Sequence, residues 1–153
     1  MDASLSDDFL IGARIESLIA ASSEEMFRDA FDDALRRAET YTRAGVDVIM
    51  IHSKTRKPDP VLAFADAYDS LCSKLGKRPW LMCVPTIYNE ITDSELAKRG
   101  FNIVIHANHL LRSAYKAMWK TAKLILSTDR SFEADQRITP LKTLFEAVSP
   151  RGK

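Results

Sequence analysis

The stretch AGVDVIMIHSK, residues 44–54, holds the end of a helix, a tight turn, an apolar strand and a polar exit. Gly45 is the left-handed terminator a helix favours. Asp47 then leads into Val48-Ile49-Met50-Ile51 with almost no loop left between the elements. This is the return stroke of a βα repeat. Three further apolar runs end in a polar or charged group: FLIGAR at 9–14, WLMCVPT at 80–86 and NIVIHAN at 102–108. A helical pattern follows each one, so the sequence predicts four parallel βα units with no evident sequence self-similarity. Both faces of every strand read as apolar, which predicts a buried parallel sheet. In barrels of this kind chemistry gathers at the C-terminal strand ends. Arg14, Glu16, His52, Ser53, Lys54, Thr86, Tyr88, His106 and Asn108 are therefore expected on one rim. Four units cannot close an eight-stranded barrel, so the chain reads as half of one. An open doubly wound sheet needs only four to five units and fits the periodicity equally well. The glycine-rich phosphate loop of many such sheets is missing, since Gly12 stands alone and neither GxGxxG nor GxxxxGK[ST] occurs.

Asp7-Asp8 precede the first strand, and the first helix is expected to begin near Ser22-Ser23 with Glu24 and Glu25 in its positive first turn. Met26, Ala30, Ala34, Leu35, Ala38 and Tyr41 recur at helical spacing. The second helix spans Pro58 to Leu75, with proline at its start and Gly76 at its end. A short third helix, Thr92 to Arg99, carries capping-box spacing in Thr92 and Glu95. A long fourth helix covers Leu110 to Leu126, with the side-chain oxygen of Asn108 expected to cap it. Ser127 to Arg137 is polar, and Pro140 to Val148 forms a last amphipathic segment. In domain terms, residues 1–153 read as a single partial domain, 7–126 being the βα units and 127–153 a helical tail.

At 153 residues, 46% hydrophobic and 28% charged, the composition is that of an ordinary globular domain with a core of its own. A net charge of +1 gives no electrostatic reason to expect nucleic acid or an anionic membrane as partner. No apolar run approaches the roughly 20 residues a membrane helix requires. MDASLSDDFL lacks the features of a secretory signal, and Cys72 and Cys83 read as buried, reduced thiols, so the expected compartment is the cytosol.

Arg14 ends an apolar strand, and its planar fork suits a carboxylate or phosphate. An ion pair with Glu16, two residues on and on the same face, is the competing reading. His52 at the second strand end could orient a substrate oxygen or serve as acid or base, or simply bond a loop carbonyl. Thr86 and Tyr88 offer hydroxyls, and Pro85 ends the third strand. His106 and His109 form an HxxH pair without a carboxylate, weak evidence for a metal. The Tyr115 and Trp119 stripe reads as core or subunit interface. No Ser/His/Asp nucleophile set can be argued. Glu16 is the one carboxylate at a strand end, where a Mg²⁺ site needs several.

Taken in order, ARIE at 13–16, AGVDVIMIHSK at 44–54, VPTIY at 84–88 and RGFNIVIHANHLLR at 99–112 resemble the phosphoenolpyruvate mutase branch of the isocitrate lyase superfamily. The likeness runs from about Asp7 to Val148 and matches the C-terminal half of that family's (β/α)₈ barrel, strands five to eight, with a C-terminal helical extension. The resemblance implies a Mg²⁺-dependent isomerase that interconverts phosphoenolpyruvate and phosphonopyruvate. Close relatives hydrolyse phosphonopyruvate, or cleave or decarboxylate related oxo-acids. It also implies a homo-oligomer, a tetramer with its last helix swapped between paired subunits. By that likeness Arg14 grips the substrate's anionic groups and His52 lies beside them as the catalytic candidate, with Ser53 and Thr86 as further contacts. Glu16 is left as a water-mediated contact to the metal at most. The family's metal-binding aspartates, its fourth-strand glutamate and its gating loop have no counterpart here. The chain alone is thus expected to bind no Mg²⁺ tightly and to be inactive, or else to act as a non-catalytic half barrel that binds an anion or completes a barrel with a partner.

Overall fold

The computed structural model describes residues 9–19 and 23–149. Asp7-Asp8 and Ser22 lie outside the described residues, as do the side chains of Glu24 and Glu25. Two compact units divide the chain, one up to Ala107 and one from Asn108.

The first unit contains strands β1 (Gly12–Ile15), β2 (Val48–Ile51), β3 (Trp80–Cys83) and β4 (Phe101–Val104), with helices α1 (Glu24–Ala44), α2 (Asp59–Leu75) and α3 (Asp93–Lys98) and a 3-10 turn at Ser17–Ile19. The sheet is wholly parallel, and its strands lie in the order β1-β2-β3-β4. A doubly wound sheet reverses the direction in which strands are added; this one does not. Parallel crossovers share one hand, so adding strands always in the same direction puts every helix on the same face.

That face is the core. Ile15, Ile49, Ile51, Leu81, Cys83 and Phe101 meet Ala34, Ala38, Val61, Phe64, Tyr68 and Leu96 in one buried cluster. Phe64 stacks on Tyr68 at 5.9 Å between ring centroids, and Phe31 meets Phe64 edge-on at 6.5 Å. The opposite face departs from the expectation of a sheet buried on both sides. Arg14 pairs in register with Met50, Met50 with Met82, and Met82 with Ile103. Arg14 is exposed and the other three are only partly buried. The reason lies in the strand order, which sends no helix of this unit to that side.

Local signals explain the element ends. Ser23 has extended backbone (φ −136°, ψ 167°), and its hydroxyl accepts the N–H of Met26. Gly45 ends α1 and Gly76 ends α2, both left-handed. Thr92 and Glu95 form the complete capping box. Asp47 does more than lead into a strand: its carboxylate accepts the Ile11 N–H at 2.8 Å and its carbonyl accepts the Trp80 N–H at 2.9 Å. One residue thus aligns the starts of three strands. Cys72 and Cys83 are buried free thiols.

The second unit holds α4 (His109–Thr128), α5 (Phe132–Asp135) and α6 (Leu141–Val148). Helix α5 falls in the stretch that reads as polar, Ser127 to Arg137, and its Ala134 is buried. Asn108 occupies the cap position of α4 but makes no side-chain cap bond. Its ψ of 6° differs from the extended ψ of Ser23 and Thr92, so its oxygen does not reach the free N–H groups. The apolar stripe Leu141, Leu144, Phe145 and Val148 on α6 is exposed, as are Leu111, Tyr115, Met118 and Trp119 on α4.

Gly100 turns α3 into β4 with φ +86°, and a Cβ there would collide with the Arg78 guanidinium. Gly100→Ala should lower stability by about 1–3 kcal/mol, read as a lower urea midpoint. Adding Arg78→Ala should recover only the steric part. An unchanged midpoint in Gly100→Ala would contradict this account.

Candidate functional site

Strand ends converge as the βα rhythm requires. β1 runs to Ile15, one residue beyond Arg14, and the His52 N–H donates to the Ile15 carbonyl at 3.2 Å. This bond joins the ends of β1 and β2. Arg14 ends a strand expected to be buried on both faces, yet its side chain is 52% exposed, on the face that carries no helix of its own unit. Successive side chains alternate along a strand, so Arg14 and Glu16 share that face. They form the anticipated ion pair, with Arg14 Nε donating to Glu16 Oε1. Contact through Nε leaves the paired Nη nitrogens, the edge that grips an anion with two parallel bonds.

His52 stands beside this pair. Its Nδ1 is shielded from solvent and has no hydrogen-bond partner. Burial lowers its pKa below the ordinary 6.5; Glu16 opposes that shift while Arg14 and Lys54 add to it. Three charges acting on one imidazole place Arg14, Glu16, His52 and Lys54 in one neighbourhood. The ring is neutral at pH 7, able to donate or accept without adding charge.

Ser53 is 1% exposed. Its hydroxyl lies 2.9 Å from that of Thr55 and accepts the Thr55 N–H at 3.2 Å, while Thr55 Oγ1 donates to the Lys57 carbonyl at 2.9 Å. These bonds fold the basic loop 54–57 and leave the Lys54 side chain exposed. Beyond β3, the Thr86 N–H donates to the Val84 carbonyl at 2.8 Å around Pro85, a three-residue turn that suits the fixed φ of proline. Thr86 remains half-buried at the strand end. Tyr88 does not offer its hydroxyl to the rim, because it is 1% exposed and its ring belongs to the core. Burial raises the Tyr88 hydroxyl pKa and pushes the neighbouring Cys83 thiol up to about 12, so that thiol is inert at neutral pH. After β4, His106 Nε2 lies 3.1 Å from Asp93 Oδ2 on α3.

Behind Glu16, between the 3-10 turn and α1, lies a cleft of about 480 Å³ whose largely apolar lining of Ile15, Met26 and Ala30 also carries Glu16, Ser17, Asp29, Asp33 and Arg37. Its three carboxylates against one arginine make it a poorer place for an anion than the Arg14 side of the rim. Asp33 accepts from Ser17 Oγ and Arg37 Nε, both at 2.6 Å, and from Arg36. The Ser17 bond first, then Arg37, lowers its pKa from 3.8 to about 2. Sequence reasoning passed over Asp33 and Asp93, because Ser17–Asp33 and His106–Asp93 join residues on different elements with no local pattern.

Mg²⁺ can be tested against the donor set. Among the described residues no group of three or more His, Cys, Asp and Glu side chains could hold a metal ion. Glu16, the strand-end carboxylate, is already engaged by Arg14. The chain's own described residues do not fit a Mg²⁺ site. No helix among them is long and apolar enough to cross a membrane.

The sequence model of the family described as phosphoenolpyruvate phosphomutase matches residues 1–126. The chain belongs to that family. Phosphonopyruvate hydrolase of Variovorax sp. (strain Pal2) is 34% identical over 140 residues, 91% of this chain and 43% of that protein. Phosphoenolpyruvate phosphomutase of Tetrahymena pyriformis is 32% identical over 138 residues, 90% of this chain and 41% of that protein. Among solved structures, phosphoenolpyruvate phosphomutase from Streptomyces platensis subsp. rosaceus superposes with a TM-score of 0.77 at 36% identity, covering 95% of this chain and 46% of that one. Phosphonopyruvate hydrolase in complex with oxalate and Mg²⁺ gives a TM-score of 0.74 at 31% identity, with 93% and 46% covered. This chain of the phosphomutase family therefore spans less than half the length of these relatives.

The electrostatics of His52 make a signed prediction. Its titration midpoint, followed by NMR of the ring C–H, should lie below 6.5. Glu16→Gln should move it further down and Arg14→Ala should move it up. Because the folded pKa is depressed, this group's contribution to stability is full above pH 6.5 and is lost as pH falls below it. Midpoints insensitive to both substitutions would separate His52 from the Arg14–Glu16 pair.

Proposed function

We propose that this chain is the C-terminal half, strands five to eight, of the (β/α)₈ barrel of a phosphoenolpyruvate mutase-type isomerase. The observation that carries the reading is Arg14 at the strand-end rim, held through Nε and flanked by neutral His52, in a chain of the phosphoenolpyruvate phosphomutase family. The unreversed strand order, and a sheet face that carries no helix of its own unit, support this reading, since half of a closed barrel requires both.

The reaction breaks the phosphorus–oxygen bond of an enol phosphate and forms a phosphorus–carbon bond at the methylene carbon, leaving a ketone with no atom lost. Substrate and product both carry a phosphoryl group and a carboxylate. Arg14 binds one of these anionic groups with its free Nη edge. His52 hydrogen-bonds beside it as the catalytic candidate, and Ser53 and Thr86 complete the rim of this half, Ser53 by shaping the loop. Fixed donors aimed at developing charge account for the rate contribution expected of such a site. Mg²⁺ belongs to the complete enzyme, on carboxylates this half does not supply, so the chain alone is inactive. The complete enzyme is a cytosolic homotetramer, and the exposed stripes of α4 and α6 support exchange of the last helix between subunits.

Phosphonopyruvate hydrolysis is the second reading, favoured by the 34% identity to the Variovorax hydrolase; a carbon–carbon lyase or oxo-acid decarboxylase is its neighbour in the superfamily. A non-catalytic half barrel is the third, favoured by the lack of a metal-binding set among the described residues. Phosphorus NMR on the complete enzyme with phosphonopyruvate separates them. A mutase converts the phosphonate signal to an enol phosphate signal, a hydrolase accumulates inorganic phosphate, and an unchanged phosphonate signal leaves the lyase and the non-catalytic half barrel. In the active protein Arg14→Ala should raise KM and lower kcat, with kcat/KM falling at least about tenfold, as expected for a lost charge-assisted bond. Unchanged kinetics would remove Arg14 from the site.

A further inference from the structure

We propose that Glu16 is the positioning residue for Arg14, and that a Ser17–Asp33 clamp on α1 fixes Glu16 in that role. The proposal rests on the reading of Arg14 as the anion-binding residue and adds the machinery that aims it.

An arginine side chain has several rotatable bonds, and one half exposed at a strand end populates several rotamers unless something holds it. Glu16 is that constraint. It accepts from Nε, which fixes the plane of the guanidinium, and it leaves the Nη edge unblocked. A carboxylate on the Nη edge would instead compete with the substrate. Glu16 therefore orients Arg14 without occupying the edge that binds.

Glu16 in turn needs a fixed backbone, since it is the first residue after β1 ends at Ile15. Two bonds supply it. The Ile19 N–H donates to the Glu16 carbonyl at 3.0 Å and closes the 3-10 turn. Ser17 Oγ, on the next residue, donates to Asp33 Oδ2 at 2.6 Å, across the cleft to the third turn of α1. Leu18, 3% exposed, anchors the turn in the core. Asp33 is a rigid acceptor because Arg37 and Arg36 from its own helix hold the same carboxylate. The chain of contacts runs from a helix buried against the sheet, through Asp33, Ser17 and Glu16, to the guanidinium edge. Asp33 and Ser17 lie outside the rim and act only through Glu16.

The test uses this chain, ¹⁵N-labelled, with inorganic phosphate and oxalate as probes. The Arg14 Nε–H cross-peak reports the Glu16 contact directly, and titration of each probe reports the consequence. Ser17→Ala should broaden or shift the Nε–H signal and weaken probe binding several-fold, while Ser17→Thr, which keeps the hydroxyl, restores both. Glu16→Gln should weaken binding less than Glu16→Ala, because the amide oxygen still accepts from Nε. Urea midpoints for each variant separate lost positioning from lost folding. Ser17→Ala with an unchanged Nε–H signal and unchanged probe affinity would overturn the clamp. Tighter binding in Glu16→Ala would overturn the positioning role and make Glu16 a competitor. If Arg14→Ala leaves probe binding intact, the fault lies in the reading of Arg14 itself, and the whole proposal falls with it.

Discussion

The constraint on which everything else depends is the direction of strand addition. Each new parallel strand joins the same side of the sheet as the last, and each crossover has the same hand. All three helices of the first unit are thereby driven onto one face, where Phe64, Tyr68, Val61 and Leu96 bury against Ile49, Ile51 and Leu81. The same rule brings all four strand C-termini to one edge. It also leaves a second face carrying Arg14, Met50, Met82 and Ile103 without a helix of its own unit. Core, candidate site and uncovered surface are three results of one topological fact.

Charge then sorts that edge. Behind β1 the cleft holds Glu16, Asp29 and Asp33 among apolar residues, with Asp33 bonded to Ser17 and Arg37. On the other side Arg14 and Lys54 flank a partly buried histidine whose protonation they and its burial oppose. A small anion would be drawn to the second region rather than the first. The Asp33 carboxylate pairs with both Arg36 and Arg37, which weakens but does not cancel the pull of these two arginines on an anion at α1.

Much of this was legible in the sequence, for identifiable reasons. Terminators and caps are local, so Gly45, Gly76 and the Thr92–Glu95 box could be read directly. Helical periodicity placed the long helices, and the apolar runs placed the strands to within a few residues. Asn108 was misread because capping depends on ψ as well as on residue type. Burial was misjudged where it depends on which elements are adjacent: the expectation of a sheet covered on both faces overlooked what a one-way strand order does. Tyr88 reads as a rim hydroxyl by position, yet the turn around Pro85 sends it into the core. Arg14, Glu16 and His52 stood out as polar ends of apolar strands. The Ser17–Asp33 and His106–Asp93 contacts did not, since nothing along the chain links a turn to a helix packed beside it.

The central claim is that the C-terminal strand edge, centred on Arg14, is where this chain meets an anionic substrate. It is tested most directly by titrating the labelled chain with phosphonopyruvate and mapping the backbone amide shifts. The account predicts saturable shifts concentrated at residues 14–17, 52–54 and 84–86. Shifts concentrated at the opposite edge, around Val46, Asp47 and Lys77–Trp80, or no saturable shift at all, would contradict it.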